Sequence, residues 1–384
     1  MHPMVKPALR RAWRNLQRVQ FGVTPAHAVV LDPVDQVTGS VLGLLDGTRG
    51  TALLRAEARA LGLPDGRLEA LLGRLESAGL LTDAATGRPG KAGPAAGAVD
   101  VALDPIRADL ASLSVVHPGP EGAARTLAAR RALRVQVRGA GRVGTTVASL
   151  LAAAGVGSVE VLDSGRVEPW ETAPGGLPAE SVGERRATAA RRLVSRWTRT
   201  WGRGGRSGGI GPGEPGAPGL SLVVVTPRDG LGAYVPDPLP AEPWISTGTP
   251  HLYAGVLEAT GTVGPLVLPG GTACARCLQE ELTDRDLVTP RLLAQWRSGA
   301  PHPLPACDLA LATAVAGLAA AHALAFLDGD LPASTGTRWE ASLPVLEWRA
   351  ERLRPHPACP CGAARGGEGE RASAPGKDHD TMAG

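Results

Sequence analysis

The chain has 384 residues, of which 43% are hydrophobic and 20% charged, so it has a globular composition and is too apolar to be mainly disordered. Its 40 basic and 37 acidic residues give a net charge of +3, which is too small for a protein that coats nucleic acid. Aromatic residues make up only 3%, whereas glycine (51) and proline (34) are abundant, so the core must be built from Ala, Leu and Val.

Residues 1–86 are predicted to form a small separate domain. A strand-like stretch at 28–31 precedes helical patterns at 37–45, 51–61 and 67–81, which end at glycine-containing turns. Three short helices with a strand are typical of a winged-helix-like α+β domain. Such a domain can bind DNA, bind a peptide along its strand edge, or be purely structural, and the pattern alone leaves these alternatives open.

A second, larger domain is predicted for residues 131–362. Its expected elements are strand 133–138, helix 142–154, strand 158–163, helix 183–200, strands 220–226, 254–259 and 263–268, helices 289–298 and 308–328, and short strands near 335–340 and 345–349. This alternation predicts an α/β fold with a Rossmann-like, mostly parallel sheet and helices on both faces. Residues 87–130 are interpreted as a linker and connector, and the polar residues 363–384 as a disordered tail.

One segment, Leu309–Leu327, approaches the length of a membrane span, which needs about 20 strongly apolar residues. It is mostly alanine and contains His322, so we interpret it as a buried core helix and expect no membrane association. Residues 1–20 carry five basic side chains and no apolar stretch follows them. We therefore expect no signal peptide and a cytoplasmic protein.

A glycine-rich loop, GAGRVG at 139–144, lies between a predicted strand and a predicted helix. Gly139 would allow the tight turn, Gly141 would let a phosphate approach the backbone, and Gly144 would let the helix pack closely on the sheet. Asp163 ends the next strand, 22 residues after Gly141, where a carboxylate can accept hydrogen bonds from a ribose. The loop predicts a nucleotide site, although the same fold can keep these glycines without binding a nucleotide.

Four cysteines form two closely spaced pairs, Cys274 with Cys277 and Cys359 with Cys361. Four thiolates would complete a tetrahedral structural zinc site and clip the C-terminal region to the domain body. The first pair alone could instead be a redox pair, or all four thiols could be unliganded. The second pair is a CxC rather than a CxxC, and His356 is a possible substitute ligand.

The fifth cysteine, Cys307, lies outside both pairs, just before the alanine-rich helix. A thiol at a helix N-terminus can have a lowered pKa and act as a nucleophile. A lone cysteine is more commonly a small buried hydrophobic side chain. Both interpretations stay open.

Taken in order, these features resemble the ThiF/MoeB/HesA superfamily, the prokaryotic relatives of ubiquitin-activating enzymes, and in particular the ThiF-like proteins of high-GC actinobacteria. The matching features are the loop at 139–144, the strand end at Asp163, the apolar strand ending in Val225-Thr226 with Asp229 beyond it, the Val263-Gly264-Pro265 segment, the CxxC, the long alanine-rich helix and the terminal cysteine pair. The resemblance spans residues 131–362.

The resemblance implies an adenylyltransferase that uses ATP to activate a carboxylate, usually that of a peptide or a ubiquitin-like small protein. It implies a structural Zn²⁺, a Mg²⁺ for which Asp229 is the best-matching ligand, and a homodimer or a partner enzyme that completes the site. The family's Asn and Arg after the ribose carboxylate are missing from residues 167–176. Its phosphate-binding Lys is replaced by Arg185 and Arg186, which would have to hold the phosphates by planar guanidinium groups.

The N-terminal domain weakly resembles the PqqD-type winged-helix fold that recognises precursor peptides of ribosomal natural products. The resemblance is carried by residues 44–50, LLDGTRG, and by the leucines at 53 and 54. It implies that a leader peptide adds as a strand beside residues 28–31.

Three functions are compatible with these features. The first is an ATP-dependent adenylyltransferase acting on a peptide or small-protein carboxylate, with Arg185, Arg186 and Asp229 as catalytic residues. The second is a catalytically degenerate scaffold that presents a precursor peptide to another enzyme. The third and weakest is an NAD(P)-dependent oxidoreductase, against which no proton donor or second catalytic domain stands out.

Overall fold

The computed structural model describes residues 1–84, 106–119, 121–200, 219–298 and 304–365. Most of the predicted linker and nearly all of the predicted tail lie outside these residues. The chain divides into two compact units, and the first passes into the second between Arg131 and Ala132. Each unit is described by itself.

The first unit combines two small antiparallel sheets with five helices in its described part. Its elements are β1 Pro3–Val5, β2 Arg11–Asn15, β3 Arg18–Phe21, β4 Val29–Leu31, α1 Gln36–Leu44, α2 Thr51–Ala60, α3 Arg67–Ser77, β5 Leu81–Asp83, α4 Arg107–Val116 and α5 Gly122–Arg130. Strands β2, β3 and β4 form one sheet in that order, and β1 pairs with β5 in the other.

The core of the first unit explains why its helices and its central strand form. Strand β3 buries Val19 and Phe21 against leucines from α1–α3, such as Leu54 and Leu75. Helix α1 begins at Asp35, whose carboxylate accepts a hydrogen bond from the backbone N–H of Thr38 at 2.7 Å. A side-chain acceptor at this position satisfies one of the free N–H groups of the first turn.

The segment interpreted as a connector contains the helices α4 and α5, which belong to the first unit. A buried lysine joins the first of them to β1: Lys6 Nζ donates to the carbonyl oxygens of Ser114 and Pro118 at 2.6 and 2.8 Å. Burial lowers the pKa of this lysine. These two bonds satisfy a charge that would otherwise be costly to remove from water.

The second unit contains a seven-stranded sheet. Its elements are β6 Arg134–Arg138, α6 Arg142–Ala153, β7 Ser158–Leu162, α7 Arg186–Thr200, β8 Leu222–Val225, α8 Leu231–Tyr234, α9 Glu242–Thr247, β9 His251–Leu257, β10 Thr260–Val267, α10 Ala275–Arg285, α11 Thr289–Ser298, α12 Leu309–Leu327, β11 Thr337–Ser342 and β12 Arg349–Arg352. Short 3₁₀ helices span Pro169–Glu171, Ala179–Ser181 and Leu239–Ala241.

The strand order is β12-β11-β10-β9-β8-β6-β7. Strands β7, β6, β8 and β9 are parallel to one another, as predicted, and β10, β11 and β12 continue the sheet in antiparallel pairs. The chain runs outward from β6 in both directions, first to β7 and then to β8. In such sheets ligands bind beyond the carboxyl ends of the two strands that flank the change of direction.

Helices pack on both faces of the sheet, because successive side chains of a strand point to opposite faces. Leu222 and Val224 of β8 pack in one core with α6, α7 and α12, whereas Val223 packs on the opposite face with Trp244 of α9. The fold is therefore the two-faced α/β architecture predicted from the sequence.

Helix α12 is the one described helix that is long and apolar enough to cross a membrane by length and composition. Its buried side chains, including Leu311, Val315 and Ala319, belong to the central core with α6 and β9. The helix is thus packed as a core helix of the second unit.

Candidate functional site: a cavity at the glycine loop and a four-cysteine cluster

Two of the three motif glycines are required by packing. Gly139 has φ +112°, and a Cβ there would collide with the carbonyl oxygen of Thr226. A Cβ on Gly144 would collide with the carbonyl oxygen of Gly139 and the hydroxyl of Thr226. These glycines let the loop and helix α6 lie against the end of β8.

Gly141 has a different environment. It precedes α6 in an extended conformation, with φ −78° and ψ −168°, and no side chain caps the helix at this residue. The nearest atom to a Cβ placed here would be Cα of Arg228, 3.9 Å away. The fold therefore leaves open space at the helix N-terminus, where backbone N–H groups favour an anion.

A cavity of about 190 Å³ opens at this point, beyond the carboxyl ends of β6 and β8. Gly141 and Arg142 line it from the loop after β6, and Arg228 from the loop after β8. The remaining walls come from Trp170, Glu171, Leu304, Pro305 and Cys307. The cavity thus lies at the change of chain direction, where the strand order predicts a ligand.

Asp163, the predicted ribose ligand, lies beside the glycine loop and is held by three groups of the protein. Its Oδ2 accepts from the N–H of Ala140 at 2.8 Å. Its Oδ1 accepts from the N–H of Gly165 at 2.9 Å and from Nε of Arg186 at 2.8 Å. Asp163 therefore fixes the shape of the loop, and its role toward a ribose stays a prediction.

Arg186 is buried and joins two carboxylates. Besides Asp163, it contacts Glu171, whose oxygens lie 3.1 and 3.2 Å from its Nη1, and it donates to the carbonyl oxygen of Arg166 at 2.7 Å. Burial acts to lower the pKa of Arg186, but Asp163 and Glu171 outweigh it and raise the pKa. The guanidinium of Arg186 is therefore already paired with groups of the protein itself.

The other two predicted catalytic residues lie at the surface. Arg185 is exposed, and Asp229 is exposed with Oδ1 accepting from the N–H of Leu231 at 3.2 Å. Neither residue lines the cavity. Their predicted roles toward phosphate and Mg²⁺ stay predictions.

Replacing Asp163 by alanine is expected to lower the free energy of unfolding by about 3 kcal/mol, because it breaks a buried ion pair. The value lies at the low end for such pairs, since Glu171 still neutralises Arg186. Urea denaturation would measure it. The matched control is Asp229→Ala at an exposed carboxylate, which should change stability by less than about 0.5 kcal/mol. Equal stability of the two variants would contradict the structural role of Asp163.

Arg228 is the residue of this site that the sequence analysis missed. Its Nε lies 2.6 Å from Oε1 of Glu171, and about a third of its side chain is exposed. The signal that could have identified it is its position two residues after Thr226, at the carboxyl end of a buried parallel strand. Loops at that edge carry the ligand contacts of α/β folds.

Cys307 also lines the cavity, and its carbonyl oxygen accepts from Nη1 of Arg142 at 2.7 Å. Burial raises the pKa of its thiol, and the nearby Arg142 offsets only part of this effect. A raised pKa disfavours the thiolate, and the partly buried side chain packs against the central core, which favours the interpretation of Cys307 as a small apolar side chain.

The two cysteine pairs meet in one cluster. Sγ of Cys274 lies 3.8 Å from Sγ of Cys277 and 3.7 Å from Sγ of Cys359, and Sγ of Cys277 lies 3.6 Å from Sγ of Cys361. All four sulfur atoms lie within 4.8 Å of one another. A tetrahedral site with Zn–S bonds of about 2.3 Å requires sulfur atoms about 3.8 Å apart, so the four residues could hold zinc.

Helix α10 begins at this cluster, with Cys274 at its start and Cys277 in its first turn. The hydrogen bond from the Cys274 thiol lowers the pKa of Cys277, which favours the thiolate form that a metal requires. His356 lies outside the cluster: its Nε2 is 2.9 Å from Oδ2 of Asp284, and its Nδ1 accepts from the N–H of Ala358. The four cysteines alone therefore form the candidate ligand set.

Comparisons with known proteins agree with this architecture. The fold is similar to that of E. coli MccB solved with ATP, with a TM-score of 0.65, 13% identity and coverage of 94% of this chain and 99% of that one. It is also similar to MccB solved with AMPCPP and MccA (TM-score 0.66, 13% identity, 94% and 100% coverage) and to PaaA (0.63, 14%, 91% and 99%). No curated protein matches the sequence.

At 13–14% identity these structures establish a shared fold. The sequence itself matches the ThiF family over residues 119–361. The matched region includes the glycine loop, the cavity and all four cysteines of the cluster. Because it covers more than half of the chain, the protein belongs to the ThiF family.

Proposed function

We propose that this protein uses ATP to adenylate the carboxylate of a peptide or small protein. The observation that carries the proposal is the cavity at the N-terminus of α6, where Gly141 leaves room for phosphate groups and Arg142 and Arg228 supply positive charge. Membership of the ThiF family and the solution of the similar MccB structure with ATP support it.

In the proposed reaction a carboxylate oxygen of the acceptor attacks the α-phosphorus of ATP. A P–O bond forms, the bond to the leaving pyrophosphate breaks, and negative charge accumulates on the phosphoryl oxygens. The α6 N-terminus and the arginines would stabilise this charge. Asp229 would hold Mg²⁺, Arg185 would act on the phosphates, and Arg186 would act indirectly by holding Asp163 against the loop.

The first unit is proposed to bind the acceptor peptide. Strand β4 is an edge of the three-stranded sheet, and its central residue Val30 is exposed. A peptide could pair with this edge and continue the sheet, which gives affinity through backbone hydrogen bonds. MccB, whose fold is similar, has been solved in complex with the MccA peptide.

Exchange of labelled pyrophosphate into ATP is the test of this function. We expect the wild type to catalyse exchange with a cognate peptide and Arg185→Ala to slow it by about tenfold or more, because the positive charge proposed to act on the phosphates is lost. Arg191→Ala removes an exposed arginine from α7, the helix that follows Arg185, and should exchange at the wild-type rate. Wild-type exchange in Arg185→Ala would remove Arg185 from the proposed site.

A scaffold that binds precursor peptides without chemistry is the second candidate. It is favoured by the missing Asn, Arg and Lys of the family pattern and by the occupation of Arg186 by two carboxylates. ATP binding without exchange, across candidate peptides and ubiquitin-like proteins, would support it. Tighter binding of NAD than of ATP would instead favour an oxidoreductase.

A further inference from the structure

The cavity at the glycine loop contains more hydrogen-bond donors than the protein itself satisfies. Nε of Arg142 and Nε1 of Trp170 are buried atoms without a hydrogen-bond acceptor, Nε of Arg228 is buried with only an ion pair to Glu171, and all three residues line this cavity. Buried donors are normally paired, so a concentration of unpaired ones marks a site for an acceptor-rich group. Three N–H donors from two cations and an indole select an anion.

Arg228 is the donor of this cavity that is paired with a carboxylate. Its Nε lies 2.6 Å from Oε1 of Glu171 but lacks the alignment of a hydrogen bond, so the two groups form an ion pair alone. Its side chain is 32% exposed, whereas that of Glu171 is 4% exposed. Its Cα also faces the open side of Gly141. Arg228 therefore lies next to the helix N-terminus that would receive phosphate.

Glu171 does not depend on Arg228. It is also paired with Arg186, and its Oε2 accepts from the backbone N–H of Glu168 at 2.9 Å. If Arg228 turned toward a ligand, the buried carboxylate would keep a cation and a hydrogen bond. Moving Arg228 therefore avoids the penalty of an unpaired buried charge.

We propose that Arg228 binds the phosphate groups of the nucleotide, and that Glu171 holds its side chain as a counter-ion until the nucleotide competes for it. Trp170 and Arg142 supply the neighbouring donors. Arg228 then provides, from the loop after β8, the charge that the family pattern places in residues 167–176 and on the following helix. This inference rests on the proposed function, because it requires a nucleotide in the cavity.

Calorimetric binding of ATP and adenosine to Arg228→Gln, compared with the wild type, tests the proposal. We expect ATP affinity to fall about tenfold or more, as for loss of a charge-assisted hydrogen bond, and adenosine affinity to change by less than about twofold. Arg228→Lys should recover part of the loss. Arg349→Gln, at an exposed arginine that pairs with Glu347, is the matched control and should bind as the wild type does.

The possible outcomes distinguish the role of Arg228 from the proposed adenylation function. Unchanged ATP affinity in Arg228→Gln would overturn the role of Arg228 and leave the proposed function intact. An equal loss of affinity for ATP and adenosine would also overturn the role of Arg228. A raised KM for the peptide with unchanged ATP affinity would overturn it as well, and would assign the donors to the acceptor carboxylate. A wild type that binds no ATP would overturn the proposed function and the inference together. Thermal melting of each variant shows whether it is folded.

Discussion

Replacing Cys359 by serine is expected to remove most of a bound zinc ion and to lower the melting temperature. The wild type, purified without chelator, should contain close to one equivalent of zinc per chain, because four sulfur atoms meet at tetrahedral spacing. Cys359 belongs to the small core that contains Leu353 and Tyr253. A metal bound by the four thiolates would link the segment beyond β12 to α10, and its loss would remove that link.

Metal analysis and thermal melting of the same preparations measure both effects. Free energy from structural zinc sites reaches about 10–16 kcal/mol in small zinc-binding peptides, so a shift of several degrees is expected even in a larger domain with its own core. Cys307→Ser is the control, since it removes a thiol outside the cluster and should keep the full zinc content. A metal-free wild type, equal in stability to Cys359→Ser, would contradict the zinc assignment.

Substitution of the motif glycines is expected to separate nucleotide binding from folding. Valine at Gly141 would enter the open space at the α6 N-terminus, so it should abolish ATP binding with little change in stability. Valine at Gly144 would collide with the Gly139 carbonyl, so it should destabilise the fold by about 3 kcal/mol or more. Calorimetry with ATP and urea denaturation measure the two effects.

Gly317→Ala is the control for adding a side chain at a helical glycine. Gly317 is exposed on α12 and a Cβ there meets no atom within 4 Å, so alanine should stabilise the protein by about 1 kcal/mol. Undiminished ATP binding by Gly141→Val would show that phosphate does not approach the backbone at this loop. If Gly144→Val were as stable as the wild type, the loop and β8 would have to be less closely packed than they are in the structure.

Local patterns in the sequence were sufficient for the second unit's central elements. Strand β6, the glycine turn and helix α6 were predicted within one residue at each end, because Val135 and Val137 alternate with polar residues and glycine marks the end of the strand. Helix α11, at Thr289–Ser298, was predicted with its observed bounds. The cysteine pairs indicated a common metal because thiol spacing is itself a local signal.

Elements without such signals were missed. Strand β2 is exposed along its whole length, so it lacks the apolar alternation by which a strand is recognised. Helix α10, which begins at the CxxC, was not predicted because its apolar residues face a small core that exists only when the C-terminal region returns to it.

What the sequence determined by itself was the α/β architecture, the glycine loop and the set of four thiols, since each depends on residues close in the chain or on a distinctive residue type. The tertiary structure alone decided which arginine faces the cavity. Arg186 follows the expected helix start, yet burial between Asp163 and Glu171 commits it to the protein. Arg228 lies on another loop and reaches the cavity because β8 lies beside β6. Charge pairing depends on the distances between side chains in the folded protein, and these distances cannot be read from residue spacing along the chain.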